Sequence, residues 1–124
     1  MQITLERQPG VFGVARLPAR DPVPSWMAGS FTTVSRSEQE LSIVTEYHDI
    51  PSHVRHEGPF ALWRVRGSID FSVVGVLSGI CCALADAAIP VLAISTFNTD
   101  YMLVPLAQSD GAGQAWRASG FTTA

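Results

Sequence analysis

A chain of 124 residues, of which 47% are hydrophobic and 15% charged, is long enough to bury a core in one compact unit or two small pseudo-repeated modules. The net charge of −3 and the scattered arginines disfavour nucleic acid or an anionic membrane as a partner. The amino terminus has no basic segment followed by an apolar one, so we expect no secretory signal and a cytoplasmic location.

The first half contains two predicted hairpins. Gln2–Gln8 and Val11–Leu17 alternate in polarity on either side of Pro9-Gly10, which is a turn signal. Phe31–Ser35 and Leu41–Glu46 are short strands joined by a polar segment. We therefore expect two strand pairs before residue 48.

A polar segment, His48–Pro59, separates the two halves and is predicted to be a solvated linker. It contains five side chains of metal-binding type: His48, Asp49, His53, His56 and Glu57. Their spacing matches no compact motif such as HExxH, and two prolines interrupt the segment. We expect no metal site here.

The second half begins with a strand and a long apolar segment. Ala61, Trp63 and Val65 alternate with polar neighbours and predict a strand with one buried face. Phe71–Ser95 carries a single charge and is about long enough to span a bilayer, which is an open alternative. That charge is Asp86, and no basic or aromatic anchors flank the segment, so we favour a soluble interpretation.

In the soluble interpretation the apolar segment divides at Pro90. Val73–Ala88 has apolar residues at three- and four-residue spacing and predicts a helix. Val91–Phe97 is apolar on both faces, which is typical of a central strand, and Tyr101–Leu106 follows after a turn to complete a hairpin. A weaker helix is predicted from Ser109 to Ser119, with one last strand after it.

The only cysteines, Cys81 and Cys82, are adjacent and lie inside the first predicted helix. Neighbouring residues rarely satisfy disulfide geometry, so we expect reduced thiols. No basic residue lies nearby to favour the thiolate, which makes a nucleophile or redox centre an unfavoured interpretation.

Two segments of the second half resemble the ACT-domain family: Asp70–Leu77, which reads DFSVVGVL, and Ala88–Val104, which reads AIPVLAISTFNTDYMLV. They are most similar to small stand-alone bacterial ACT proteins related to the arginine-sensing CASTOR group. In the first half, FGVARLPARDPVPSW and FTTVSRSEQELSIV resemble the N-terminal module of the same proteins. The resemblance implies two ferredoxin-like modules that pack together, with an amino acid or similar small effector bound between modules.

We therefore predict an α+β protein of two ferredoxin-like ACT modules, with antiparallel sheets and helices on one face. Residues 1–58 would form a truncated N-terminal ACT-like module, and residues 59–124 a C-terminal ACT module of βαββα order with a short last strand. Either the N-terminal hairpin or a neighbouring chain completes the second sheet. Side-by-side association of such sheets in a homodimer would cover exposed edge strands.

Polar residues at two predicted turns suggest an amino-acid site. Gly75 precedes the first helix, where a ligand can approach the backbone and first-turn N–H groups can receive a carboxylate. Asp100, with the hydroxyls of Ser95, Thr96 and Thr99, would accept hydrogen bonds from an ammonium group or a cationic side chain. The same residue types are also ordinary turn and helix-start formers, and this alternative stays open.

By resemblance to the family, the ligand-binding site extends to Val73, Val74, Val76 and Phe97. The first module would add Ser42 and Ile43 of the ELSIV strand.

No nucleotide-binding loop, dinucleotide fingerprint or nucleophile elbow is present in the sequence. We therefore predict a non-enzymatic protein without catalytic residues, metal or cofactor, which binds an amino-acid effector as a sensor or regulatory module. Two alternatives stay open. One is a structural or protein-interaction module with an unoccupied ACT pocket, and the other is a small enzyme that uses the histidine segment or the cysteines.

Overall fold

The computed structural model of the chain describes residues 2–70 and 72–124. Phe71, where the predicted apolar segment starts, lies outside the described residues. The strands are β1 Thr4–Arg7, β2 Phe12–Leu17, β3 Thr33–Arg36, β4 Leu41–Glu46, β5 His56–Val65, β6 Leu92–Ser95, β7 Asp100–Pro105 and β8 Thr122–Thr123. The α-helices are α1 Val76–Asp86 and α2 Ser109–Ala118, and single 3-10 turns cover Tyr47–Asp49 and Leu106–Gln108.

The chain divides into two compact units. The N-terminal unit is Gly10–Phe60, and the C-terminal unit combines Met1–Pro9 with Ala61–Ala124. Strand β5 therefore contributes residues 56–60 to the first unit and 61–65 to the second. The boundaries of the two ACT-like modules, 1–58 and 59–124, were predicted from the sequence and remain a prediction.

The N-terminal unit is an antiparallel sheet in the order β3–β4–β2–β5. The predicted pair of β3 and β4 is confirmed. The predicted hairpin across Pro9-Gly10 is wrong, because β1 pairs with β5 and β8 while β2 pairs with β4 and β5. Within the described residues this unit has a 3-10 turn and no α-helix, so a ferredoxin-like first module is a proposal that rests on the resemblance.

The predicted linker is part of the N-terminal unit. Ile50 and Val54 are buried in its core, and β5 begins at His56. The prediction of a solvated segment is wrong because the two apolar residues within it supply core contacts in spite of the polar composition around them. The core of this unit is completed by Ala15, Leu41 and Ile43, with Leu17, Trp26 and Met27 packed against it.

The C-terminal unit is a sheet in the order β6–β7–β5–β1–β8 with two helices. Strand β1 lies between β5, which it pairs with in antiparallel fashion, and β8, which it pairs with in parallel. Strand β1 therefore joins this sheet by itself, without the N-terminal hairpin that was expected to complete it. The sheet is mixed, so the prediction of purely antiparallel sheets is wrong at this edge.

Two tryptophans fix the helices of the C-terminal unit. Trp116 of α2 is fully buried and its indole Nε1 donates a hydrogen bond to the carbonyl oxygen of Ile80 in α1, at 3.1 Å. Trp63 of β5 donates from Nε1 to Ser109 Oγ at 3.1 Å, and the two rings meet edge to face at 5.1 Å. Helix α1 is shorter than predicted at both ends, and α2 matches its predicted start.

Strand β6 differs from its prediction. Its sequence predicts a central strand covered on both faces, but among the described residues of this unit β6 pairs only with β7, and Leu92 is 43% exposed. The sequence shows that both faces of the strand are apolar. The burial of the strand depends on which other strands lie beside it, and the pattern does not report this. Among the described residues, no helix is both long and apolar enough to cross a bilayer.

Candidate functional site

A cavity of about 280 Å³ opens in the C-terminal unit between the start of α1 and the turn that joins β6 to β7. A volume of this size suits a small ligand. The cavity is lined by Ile69, Asp70, Val73, Gly75, Val76, Leu77, Ser78, Ser95, Thr96, Phe97, Thr99 and Asp100. It is therefore built from two separate segments, one before and in the first turn of α1 and one at the hairpin turn.

Gly75 forms the N-terminal cap of α1 in a left-handed conformation, with φ at +87°. A side chain would be strained at this φ, which accounts for the glycine. Within the described residues no side chain caps the helix start, so the N–H groups of Val76 and Leu77 point from an uncapped first turn. Such amides, together with the helix dipole, favour an anion such as a carboxylate.

The opposite wall of the cavity carries a hydrogen-bonded pair. Ser95 and Asp100 face each other across β6 and β7, and Ser95 Oγ donates to Asp100 Oδ1 at 2.6 Å. The bond orients the carboxylate at the cavity wall. It occupies one carboxylate oxygen, and Oδ2 has no hydrogen-bond partner in the described part of the chain.

The two threonines hold the turn itself. The Thr96 hydroxyl donates to the Thr99 carbonyl at 3.0 Å and accepts from the Thr99 amide at 3.3 Å. Thr99 is buried, and its hydroxyl donates to the carbonyl of Val65 in β5 at 2.8 Å. These hydroxyls act as turn formers, while their neighbours Ser95 and Asp100 present polar atoms to the cavity.

A second carboxylate, Asp70, lines the cavity and was not among the predicted site residues. Its Oδ1 accepts hydrogen bonds from the Ser72 amide at 2.9 Å and the Ser72 hydroxyl at 2.8 Å. These bonds, the backbone one first, lower the pKa of Asp70 and keep it ionised. The signal in the sequence is an Asp two residues before a Ser, which is typical of an Asx turn.

The charged side chains that line the cavity are all negative, with Asp70 in the segment before α1 and Asp100 at the hairpin turn. Asp70 and Asp100 are its two carboxylates, and none of the lining residues is Arg, Lys or His. Together with the amides of the first turn of α1, these carboxylates allow the cavity to hold both a carboxylate and a cationic group. This combination matches the two charges of a free amino acid.

The predicted site residues do not all meet. Eight of them line the cavity: Val73, Gly75, Val76, Ser95, Thr96, Phe97, Thr99 and Asp100. Val74 is 90% exposed and does not line it. Ser42 and Ile43 lie on β4 in the N-terminal unit, where Ile43 is fully buried in the core. Sequence reasoning missed Ile69, Asp70, Leu77 and Ser78.

None of the cysteine and histidine side chains considered above lines the cavity. Burial, followed by the charges of Cys82 and Asp100, raises the pKa of the Cys81 thiol, which keeps it protonated. No group of three or more His, Cys, Asp or Glu side chains among residues 2–70 and 72–124 is placed to hold a metal ion.

Comparison with known families supports the fold assignment. Residues 57–117 match the model of the ACT domain, and residues 10–53 match a second model that describes an N-terminal domain. No curated protein matches the sequence.

Three solved structures illustrate what the chain is similar to. A protein from Agobacterium tumefaciens is 27% identical, with a TM-score of 0.94 over 100% of this chain and 93% of that one. The aspartate kinase of Clostridium acetobutylicum is 13% identical, with a TM-score of 0.67 over 95% of this chain and 34% of its own. The regulatory subunit of aspartate kinase from Thermus flavus is 11% identical, with a TM-score of 0.61 over 96% of this chain and 97% of its own.

Proposed function

We propose that this chain, whose residues 57–117 match the model of the ACT domain, binds an amino acid in the cavity beside Gly75 and Asp100 and acts as a sensor or regulatory module. The observation that carries the proposal is the pairing of an uncapped helix start with two carboxylates around one small cavity. The similarity to the regulatory subunit of an aspartate kinase supports a regulatory role without chemistry of its own.

The ligand would place its two charged groups against different parts of the cavity lining. Its carboxylate would accept hydrogen bonds from the amides of Val76 and Leu77, where the helix dipole adds a favourable interaction. Its ammonium group would donate to the free oxygen of Asp100 and to Asp70. The apolar lining, including Val73 and Phe97, would contact the side chain of the ligand.

The test is thermal unfolding of the protein with each common amino acid in turn. A ligand at one hundred times its dissociation constant stabilises the native state by about 2.7 kcal/mol. In a domain of this size that corresponds to a rise of several degrees in the melting temperature. A rise with one amino acid or a few related ones supports the proposal, and no rise with any of them counts against it.

Several finer points belong to the same proposal. The proposal includes a homodimer and a relation to the arginine-sensing CASTOR group, both on the basis of the family resemblance, and a cytoplasmic location. The negative net charge supports the absence of nucleic acid and anionic membrane among its partners.

A protein-interaction module with an unoccupied pocket is the second candidate. Phe97 at 80% exposure and Leu92 at 43% are large apolar side chains in contact with solvent, and Leu92 lies on an edge strand. Exposed apolar groups of this kind are typical of interaction surfaces when they form a patch. This candidate predicts no stabilisation by any amino acid.

A further inference from the structure

We infer that the N-terminal unit has a second binding site, for a small oxyanion, around the arginine pair Arg16 and Arg55. Arg16 on β2 lies opposite Arg55, which directly precedes β5, one step along from the paired residues Ala15 and His56. The Arg16 amide donates a hydrogen bond to the Arg55 carbonyl at 2.9 Å. Directly opposed residues of an antiparallel pair project from the same face of the sheet, so two guanidinium groups share this face.

Like charges in this arrangement oppose folding. Directly opposed residues have Cβ atoms roughly 4.5–5.5 Å apart, and a like-charged pair at that spacing is destabilising. Neither arginine has a carboxylate partner among the described residues, where the ion pairs join Glu6 to Arg64 and Arg66. An anion bound between Arg16 and Arg55 would remove the repulsion and form charge-assisted hydrogen bonds with both.

Space for such an anion adjoins the pair. Arg16 and Arg55 both line two neighbouring cavities, of about 300 Å³ and about 180 Å³. One nitrogen of Arg16, Nη2, donates to the Gln39 carbonyl at 3.2 Å, which orients its guanidinium group. Arg55 is exposed and its side chain has no hydrogen-bond or ion-pair partner among residues 2–70 and 72–124. The pair is thus one oriented and one free cation on the wall of an open cavity.

A third residue on the same face of the sheet carries a hydroxyl group. Ser42 on β4 lies opposite Arg16 and lines the smaller cavity, so its hydroxyl can add a third donor. Glu40 and Glu57 line the same cavity without forming an ion pair with either arginine. Their negative charges lower the affinity of the cavity for anions in general, so we expect only a small oxyanion held directly between the two guanidinium groups to bind.

The experiment is an amide-resolved NMR titration with inorganic phosphate and, separately, with succinate, each against sodium chloride at matched ionic strength. The expected result is a saturable shift of the amides of Arg16, Ser42 and Arg55 with at least one oxyanion and none with chloride. Phosphate alone would identify a phosphate-bearing ligand, and succinate alone a carboxylate-bearing one.

Two variants make the test specific. Arg55→Gln should weaken binding about tenfold or more, because a charge-assisted hydrogen bond and a full charge are lost. Arg20→Gln removes an exposed arginine of the same unit that lines neither cavity, and it should bind as the wild type does. Equal binding by all three proteins, or shifts that grow linearly without saturation, would overturn the inference.

A second readout does not depend on finding the natural ligand. At low ionic strength without the anion, Arg55→Gln should melt at or above the temperature of the wild type, since it relieves the repulsion. Added oxyanion should then raise the melting temperature of the wild type more than that of Arg55→Gln. A variant that is less stable than the wild type without anion and gains equally on its addition would contradict a binding site.

Discussion

Ser95 and Asp100 face each other across the hairpin of β6 and β7, and the Ser95 hydroxyl donates to Asp100 Oδ1 at 2.6 Å. The pair lies on the wall of the cavity whose other side is the uncapped start of α1. One carboxylate oxygen is thereby oriented and the other is left for a ligand. The negative charge of Asp100 would therefore attract the ammonium group of a ligand to this wall.

Asp100→Asn should abolish or strongly weaken amino-acid binding while leaving the fold intact. The change keeps the side-chain shape and an oxygen that can accept from Ser95, but it removes the negative charge that attracts an ammonium group. Calorimetric titration with the amino acid identified by thermal unfolding measures the effect. Asp86→Asn is the matched control, because Asp86 ends α1 and does not line the cavity; binding reduced equally in both variants would point to overall charge instead of a site.

Gly75→Ala should lower both stability and affinity. A left-handed residue other than glycine costs about 1–2 kcal/mol, and a methyl group at the helix start would narrow the approach to the first-turn amides. Gly67→Ala is the matched control, since Gly67 has φ at +79°, has open space within 4 Å of where a Cβ would lie and does not line the cavity. Denaturant unfolding should show similar losses in both, whereas only Gly75→Ala should lose affinity.

Thr99→Val should destabilise the protein by about 1–3 kcal/mol. Valine has nearly the same shape, but it cannot donate the buried hydrogen bond to the Val65 carbonyl that ties the turn to β5. Thr32→Val, at an exposed position, should change the free energy of unfolding by no more than about 0.5 kcal/mol. A Thr99→Val variant as stable as the wild type in urea would show that the turn is held by its backbone alone.

Asp70 should contribute to the acid dependence of stability. Hydrogen bonds from Ser72 lower its pKa in the folded protein, while the unfolded carboxyl titrates near its ordinary value of about 3.9. A lowered folded pKa gives a stabilising contribution that is fully present above the unfolded value and is lost as the pH falls through the folded one. The difference in unfolding free energy between wild type and Asp70→Asn should therefore be constant near neutral pH and shrink below about pH 4.

Ser72→Ala provides the check on this explanation. It removes the hydroxyl donor and leaves the backbone donor in place, so the acid dependence should weaken in part. An acid dependence identical in wild type, Asp70→Asn and Ser72→Ala would show that other carboxyls account for it.

Local patterns in the sequence were sufficient to predict several elements of the C-terminal unit. The hairpin of β6 and β7 follows from two apolar runs that meet at turn-forming residues, and it is confirmed. Helix α2 follows from its three- and four-residue spacing, with Trp116 on the buried face. These features are encoded by residues within about ten positions of one another, so periodicity reports them directly.

The pairing of strands that are distant in the sequence could not be predicted from local patterns. Nothing local to Thr4–Arg7 indicates that β1 lies between β5 and β8, because strand partners are chosen by the assembled sheet. The edge position of β6 and the buried Ile50 were missed for the same reason. Asp70 was missed because its role depends on the fold that brings the loop before α1 beside the hairpin turn.

Amino-acid binding in the cavity beside Gly75 and Asp100 is tested most sharply by an amide-resolved NMR titration of the protein with the common amino acids. We expect one of them to shift the amides of Gly75, Val76 and Leu77 together with that of Asp100, and we expect the shifts to saturate. Saturable shifts confined to residues outside this cavity, or no shift with any amino acid, would contradict binding at this site.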